Sequence, residues 1–452
     1  MPKQIQMIRK VSFPLIAIIA IATVPDALAQ QPVNTQQSAN AQQSAKLTLR
    51  EAVDTALKNH PQILAAQNEV AYSNQLITES QSAYYPFVQA QATGSQANTN
   101  ARIGAGAISD SRLFNRFGQG ITLSQLITDV GRTKNLVASS RANAQGSNQT
   151  YQATRYDVIS QVNQAYYDVL HSQSVVKVAE QTVAARQLLF DQVDTLAKNN
   201  LKSQLDVSFA SVAVSEAKLL LIRAQDNVQE SFAELSRAMG SDQPASYQLV
   251  DEPLPPTPPT KPDELIAQAI SNRPELASLR FARESARSYE EAEKDLNRPT
   301  VSLLGVGGFL PLINQVGSTP IASEYEGVAV NVSVPLFNGH LFSARREAAH
   351  YKTLEADQHL RDRQEQIARD VNVAWASATT AFQRIDVTAQ FLRQAALGLD
   401  LAQGRYNLGL SSIVELTQAQ LSMTQAEIEN LNAKYDYQRQ YAALQYTIGL
   451  LR

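Results

Sequence analysis

Cysteine is absent from all 452 residues. That excludes disulfides, thiol chemistry, cysteine-ligated metals and a lipid anchor on an N-terminal cysteine. Histidine is scarce. His60, His171, His340, His350 and His359 are the full set. None forms an HExxH zinc motif, and His350 and His359 miss the i, i+4 spacing of a helical metal pair. Charge of one sign is lacking as well, since a formal net charge of −3 gives no reason to expect a nucleic-acid partner. The glycines at 305–308 (GVGG) fall inside a strand pattern with no helix opening after them, so they are no dinucleotide fingerprint. Ser111 and Ser323 have no partners for nucleophilic catalysis. The expectation is therefore no enzyme, no metal and no cofactor.

Long apolar runs are missing except at the N-terminus. There Lys3, Arg9 and Lys10 form a basic region before the apolar stretch Val11–Val24, and Ala27–Ala29 offers a small-residue cleavage site. Residues 1–29 read as an export signal. The alternative, a membrane anchor, has an apolar run short of ~20 residues and is interrupted by Pro14. With no later apolar run, a mature chain that spans a membrane must do so as a β-barrel. Proline, too, is missing over long stretches, from Pro86 to Pro244 and again after Pro335. Those stretches are free to form very long helices.

What is present is a repetition. ALKNHPQI (Ala56–Ile63) is echoed by AISNRPEL (Ala269–Leu276), and Pro61 and Pro274 stand as far apart as Pro86 and Pro299. NLKSQLDV (Asn200–Val207) is echoed by GLSSIVEL (Gly409–Leu416). The chain is thus expected to be a tandem duplication. A flexible, glutamine-rich leader spans 30–46. A first repeat covers 47–252, a proline-rich connector 253–262, and a second repeat 263–452. Each repeat is expected to hold a leading helix, a β-hairpin (about 86–127 and 299–336) and a long helical hairpin (tips 199–206 and 406–415). The first helix runs from Leu47 to about Ser82, with Thr48 and Glu51 as a capping box. Pro61 and Pro274 set a bend or the end of a short leading helix.

In the hairpins the apolar period is two. Val88, Ala90 and Ala92 alternate with polar residues. Phe117, Ile121 and Leu123 oppose Gly118, Gly120, Thr122 and Ser124, and Val328, Val330, Val332 and Val334 oppose Ala329, Asn331 and Ser333. An apolar outside with a small, polar inside is the pattern of a membrane barrel. A half-buried strand in a soluble sheet has the same alternation. In the last helix, Val414, Leu421, Ile428, Tyr435 and Ala442 recur every seven residues, and Leu416, Met423, Tyr437 and Leu444 form a second row broken at Asn430. Two such rows on opposite flanks predict a neighbour on each side. Four strands per chain cannot close a barrel, because single-chain barrels begin at about eight, so several copies must share one.

These features resemble the TolC family of bacterial outer membrane efflux proteins. The motifs that carry the resemblance are the NHP and NRP pair, SQLITDVGRT (Ser124–Thr133), VPLFNG (Val334–Gly339), NNLKSQLDV (Asn199–Val207) and RYNLGLSSIVELTQAQLSMTQAE (Arg405–Glu427). The resemblance implies a mainly α protein with a small membrane β-barrel. It implies a homotrimer sharing a barrel of about 12 strands in outer membrane lipid, above a long periplasmic coiled-coil tunnel. It implies a passive exit duct for small molecules or for type I protein secretion. The implied partners are a periplasmic adaptor and an inner membrane transporter. The candidate gate and adaptor contacts are Asn200, Leu201, Ser203 and Asp206 at one tip, and Tyr406, Gly409, Ser412, Glu415 and Gln418 at the other. A hydrogen bond from the Tyr406 hydroxyl to Asp206 is expected to hold the tips together. Glu415 either lines the aperture or simply sits where a helix dipole favours an acid. A structural or adhesive envelope protein with a long coiled coil is the alternative reading.

Overall fold

The computed structural model describes residues 46–95, 102–105, 108–112, 116–241, 247–259, 261–309 and 324–450. The export signal and all of the leader but Lys46 lie outside the described residues. Lys46 itself belongs to a short strand, β1 (Lys46–Leu47). The first half continues with α1 (Leu49–Asn59), α2 (Pro61–Gln81) and a 3-10 turn (Ser82–Tyr84). Strands β2 (Phe87–Ser95), β3 (Arg102–Ala105), β4 (Ile108–Arg112) and β5 (Arg116–Thr128) follow, then α3 (Arg132–Lys198), α4 (Gln204–Ala238) and β6 (Gln248–Leu249). The second half has α5 (Asp263–Asn272), α6 (Pro274–Lys294), a 3-10 turn (Asp295–Asn297), β7 (Thr300–Phe309), β8 (Glu324–Ser333), α7 (Leu341–Asn407) and α8 (Ile413–Thr447).

The two halves have elements of matching length. α2 and α6 have 21 residues each, α3 and α7 have 67, and α4 and α8 have 35. At 1.5 Å per residue, α3 and α7 are each about 100 Å long. The helix expected from Leu47 to Ser82 is two helices. Thr48 and Glu51 cap the first reciprocally. His60 is extended between them, and its Nδ1 accepts from the Gln62 backbone N–H at the start of the second. Pro61 at the first helical position explains the break, since the residue before proline is driven out of the helical region.

β2, β5, β7 and β8 form one four-stranded antiparallel sheet in that order. β3 and β4 form a separate antiparallel pair between β2 and β5, which alternation had not revealed. Register decides the faces. Val88 pairs with Leu123 and Ala90 with Ile121; Leu123 pairs with Gly305, and Gly305 with Val328. Leu303 pairs with Val330 on the same face. One face thus carries Val88, Ala90, Ile121, Leu123, Leu303, Val328 and Val330 across all four strands, with Gln119, Gln125, Glu324 and Glu326 as its polar members. The other carries Gln89, Gln91, Thr93, Thr122, Ser124, Gly120, Gly308, Ala329 and Asn331, interrupted by Phe87, Leu126, Leu304, Val306 and Tyr325.

Both long helices leave the sheet through two successive residues of left-handed backbone. These are Val130 (φ 59°) and Gly131 (φ 109°) before α3, and Gly339 (φ 61°) and His340 (φ 68°) before α7. A β-branched residue there is strained. Asp129 offsets the strain: its carboxylate accepts from the backbone of Gly131 and Thr133 and from the Thr133 hydroxyl.

The helices pack side by side. α3 lies against α4 and α8, and α8 lies against α7. α8 therefore has α3 on one flank and α7 on the other. Leu416, Tyr437 and Leu444 of its second row are fully buried, whereas Val414 and Leu421 at the tip end of its first row are exposed. Nearer the sheet, α2 and α6 lie against α3, and α6 also lies against α7. Side chains at equivalent points of the two halves hold β1 with the end of β6, and the connector. The Tyr166 hydroxyl lies within hydrogen-bond reach of the carbonyl oxygens of Leu47 and Val250, which share its one proton, and the Trp375 indole N–H donates to the carbonyl of Pro259 in the connector. The Tyr437 hydroxyl donates to the carbonyl of Pro256.

Candidate functional site: the paired helical tips

Both helical hairpins turn in the same way. At the first tip, Asn200 adopts left-handed backbone (φ 58°), and Leu201 N–H returns to the Leu196 carbonyl at 2.9 Å. At the second, Gly409 (φ 74°) takes that place, and Leu410 N–H returns to the Arg405 carbonyl at 2.8 Å. These are Schellman closures, with glycine or asparagine where the backbone must turn left-handed. Ser203 and Ser412 then cap the returning helices α4 and α8.

The acids three residues after the caps differ in their partners. Asp206 completes a capping box, its Oδ2 accepting from Ser203 N–H (3.1 Å) and the Ser203 hydroxyl (2.9 Å). Glu415 instead reaches across its own tip to Arg405, with Nε–Oε1 at 3.1 Å. Both side chains of that ion pair are about half exposed. Gln418 is exposed one turn further along α8.

The two tips share one apolar cluster. Leu189 and Val193 of α3, Val207 and Ala210 of α4, Ala402 and Tyr406 of α7, and Ile413 and Leu416 of α8 are buried together. Lys202 of the first tip lies over the Tyr406 ring, its Nζ 4.4 Å from the centroid. Neither Lys202 nor this contact was anticipated; a lysine in a short polar turn gives no sign of the ring it will cover. One turn-scale step above, the buried Arg186 guanidinium of α3 donates to the Thr417 carbonyl of α8 at 3.4 Å. Burial lowers the Arg186 pKa, and the nearby Glu216 opposes that shift.

The expected hydrogen bond from Tyr406 to Asp206 is not formed. The Tyr406 hydroxyl is buried and has no hydrogen-bond partner among the described residues. The cause is competition: Ser203 stands three residues from Asp206 and takes its carboxylate as a local cap. Asp206 is still close enough to matter electrostatically. The Tyr406 pKa is raised, first by burial and then by the Asp206 charge. The apex itself is apolar and exposed, through Leu201, Leu205, Leu408 and Leu410.

Among the described residues no group of His, Asp and Glu is arranged to hold a metal ion. No described helix is long and apolar enough to cross a membrane.

TolC of Vibrio cholerae is 24% identical over 89% of this chain and 91% of its own length. The alkaline protease secretion protein AprF of Pseudomonas aeruginosa is 24% identical over 90% of this chain and 85% of its own. The solved structure of the CmeC outer membrane channel of Campylobacter jejuni superposes with a TM-score of 0.77 at 18% identity, covering 94% of this chain and 93% of that one. The model of the outer membrane efflux protein family matches residues 52–241 and 265–450, one segment in each half. The chain belongs to the outer membrane efflux protein family.

Proposed function

We propose that three copies of the chain form one channel: a shared β-barrel of about twelve strands in the outer membrane, continued by a tunnel of helices through the periplasm. The observation that carries this reading is the sheet. It has four strands, an apolar face, and two edges, β2 and β8, with no strand beside them among the described residues. Lipid cannot satisfy an open edge, and a head-to-tail ring pairs each β8 with the β2 of the next copy. The helices support the same closure. α4 and α7 end the row, and both expose apolar side chains, Phe209, Val212, Leu219 and Ile222 on one, Val387, Phe391, Leu397 and Leu401 on the other. An adhesive envelope protein has no use for a sheet of this kind.

The channel serves as a passive exit duct, and the cargo is selected by its partners. The tips, with Asn200, Leu201, Ser203, Asp206, Tyr406, Gly409, Ser412, Glu415 and Gln418, narrow the tunnel and receive a periplasmic adaptor, which links it to an inner membrane transporter. The exposed leucines at the apex fit such docking. Glu415 contributes less to an aperture ring than a free carboxylate, because Arg405 pairs with it. The name of AprF speaks of protease secretion and the family description of efflux, so both stay open as cargo classes. Native mass spectrometry in detergent is the test of assembly. A trimer that conducts in planar bilayers is expected, and a stable, folded monomer overturns the reading.

A further inference from the structure

The polar face of the sheet carries one aromatic side chain in an unusual pose. Register places Gln91, Gly120, Gly308 and Tyr325 in a single row across β2, β5, β7 and β8. A Cβ added at Gly120 would lie 2.6 Å from the Tyr325 hydroxyl oxygen, and one at Gly308 would lie 2.7 Å from it. The phenol is therefore folded down along the row, reaching over two strands. The same Cβ atoms would also meet backbone, the Gly307 carbonyl at 2.9 Å and the Gln119 carbonyl at 2.5 Å. Close strand approach thus demands both glycines, and the ring occupies the shelf they leave. A shallow space of about 260 Å³ remains beside it, lined by Gln91, Thr93, Thr122 and Tyr325 among others.

Resting on the barrel reading above, we propose that Tyr325 is a pore-lining residue whose ring, folded on the Gly120–Gly308 shelf, sets the width of the lumen at the end remote from the helices. Three observations converge on it. Tyr325 shares its face with Gln91, Thr122 and Asn331, opposite Val328, Val330 and Val332 of its own strand. It is the second residue of β8 and so lies far from α7. It is the large side chain on a row otherwise made of glycine and glutamine, so its ring is the bulk that this row adds to the wall. Aromatic cover over strand glycines also stabilises sheets, but that role alone does not couple the ring to ion flow. Pore width does.

The absence of cysteine makes the test direct. Tyr325→Cys, Asn331→Cys and Val330→Cys are each reconstituted in planar bilayers and exposed to a membrane-impermeant cationic thiol reagent. The expected result is stepwise loss of current for Tyr325→Cys and no change for Val330→Cys, with Tyr325→Ala conducting above wild type before any reagent. The proposal is overturned when Asn331→Cys responds but Tyr325→Cys keeps its current and Tyr325→Ala conducts like wild type. A response at Val330→Cys without one at Asn331→Cys reverses the faces and overturns the barrel reading itself. Should Tyr325→Cys not assemble, Tyr325→Trp is expected to lower conductance, and wild-type conductance in that variant overturns the proposal.

Discussion

Gly240, just beyond α4, lies against the backbone of His60: a Cβ at Gly240 would be 2.8 Å from the His60 Cα. The second half repeats the contact, with Gly449 beyond α8 set against Asn272 and Arg273, where a Cβ would lie 3.1 Å from Asn272 Cβ. The paired NHP and NRP motifs are thus the corners on which each half closes, start against end. Gly240 and Gly449 both have left-handed backbone (φ 72° and 73°).

Gly240→Ala is therefore expected to destabilise the fold by more than the roughly 1–2 kcal/mol of a left-handed alanine, because the contact is to backbone that cannot move aside. Gly398 is the control. It lies within α7 with nothing within 4 Å of an added Cβ, and alanine there is expected to stabilise by about 0.5–1 kcal/mol. Heat-denaturation midpoints of the two variants check the contrast.

His60 gives the corner a pH dependence. Burial, and then the charge of Arg237, lower its pKa in the folded protein. The folded state thus binds the proton less readily than the unfolded chain, whose histidine titrates near 6.5. This stability is fully present above that value and is lost as pH falls through the lowered folded pKa. His60→Asn, which keeps a cap, is expected to flatten the fall in denaturation midpoint between neutral and mildly acidic pH. An unchanged slope would assign the dependence to other groups.

On the sheet, Val330→Arg and Val332→Arg are expected to impair outer membrane assembly, since arginine at the midplane of a barrel's lipid face costs about 2–4 kcal/mol. Asn331→Arg, on the opposite face, is expected to assemble nearly as wild type. Trimer yield in outer membrane fractions checks this, and equal damage at all three positions would show the faces to be wrong.

At the tips, the hydroxyl of Tyr406 is a burden rather than a lock. An unpartnered buried hydroxyl costs about 1–3 kcal/mol, so Tyr406→Phe is expected to leave conductance unchanged and stability equal or higher. Asp206→Ala removes a capping box, about 1 kcal/mol per tip, and Lys202→Met removes a cation over a ring, about 0.5–1 kcal/mol. Both are expected to raise single-channel conductance. A rise in Tyr406→Phe instead would reveal a hydrogen bond made between copies.

The difference between Thr48 and Tyr406 shows what the sequence carries. The Thr48–Glu51 cap joins residues three apart, and the proline break at His60 joins neighbours; each is written in adjacent letters. Strand alternation at Val328–Val332 is equally local. The partner of Asp206 was a contest between Ser203 and a ring 200 residues away, and only the fold shows that the nearer group takes the carboxylate. The Lys202–Tyr406 contact and the folded pose of Tyr325 depend on which strands and helices become neighbours, which no periodicity encodes. β3 and β4 were missed because each is short and neither alternates clearly.

The hold of Trp375 on the connector has an optical consequence. It is the single tryptophan of the chain, and its indole N–H is spent on the Pro259 carbonyl. Intrinsic tryptophan emission of each chain therefore comes from one point on α7, beside the strap between the halves. Any motion that frees the strap exchanges a protein carbonyl for water at that indole, so the protein carries its own fluorescent reporter of how tightly its two halves are tied.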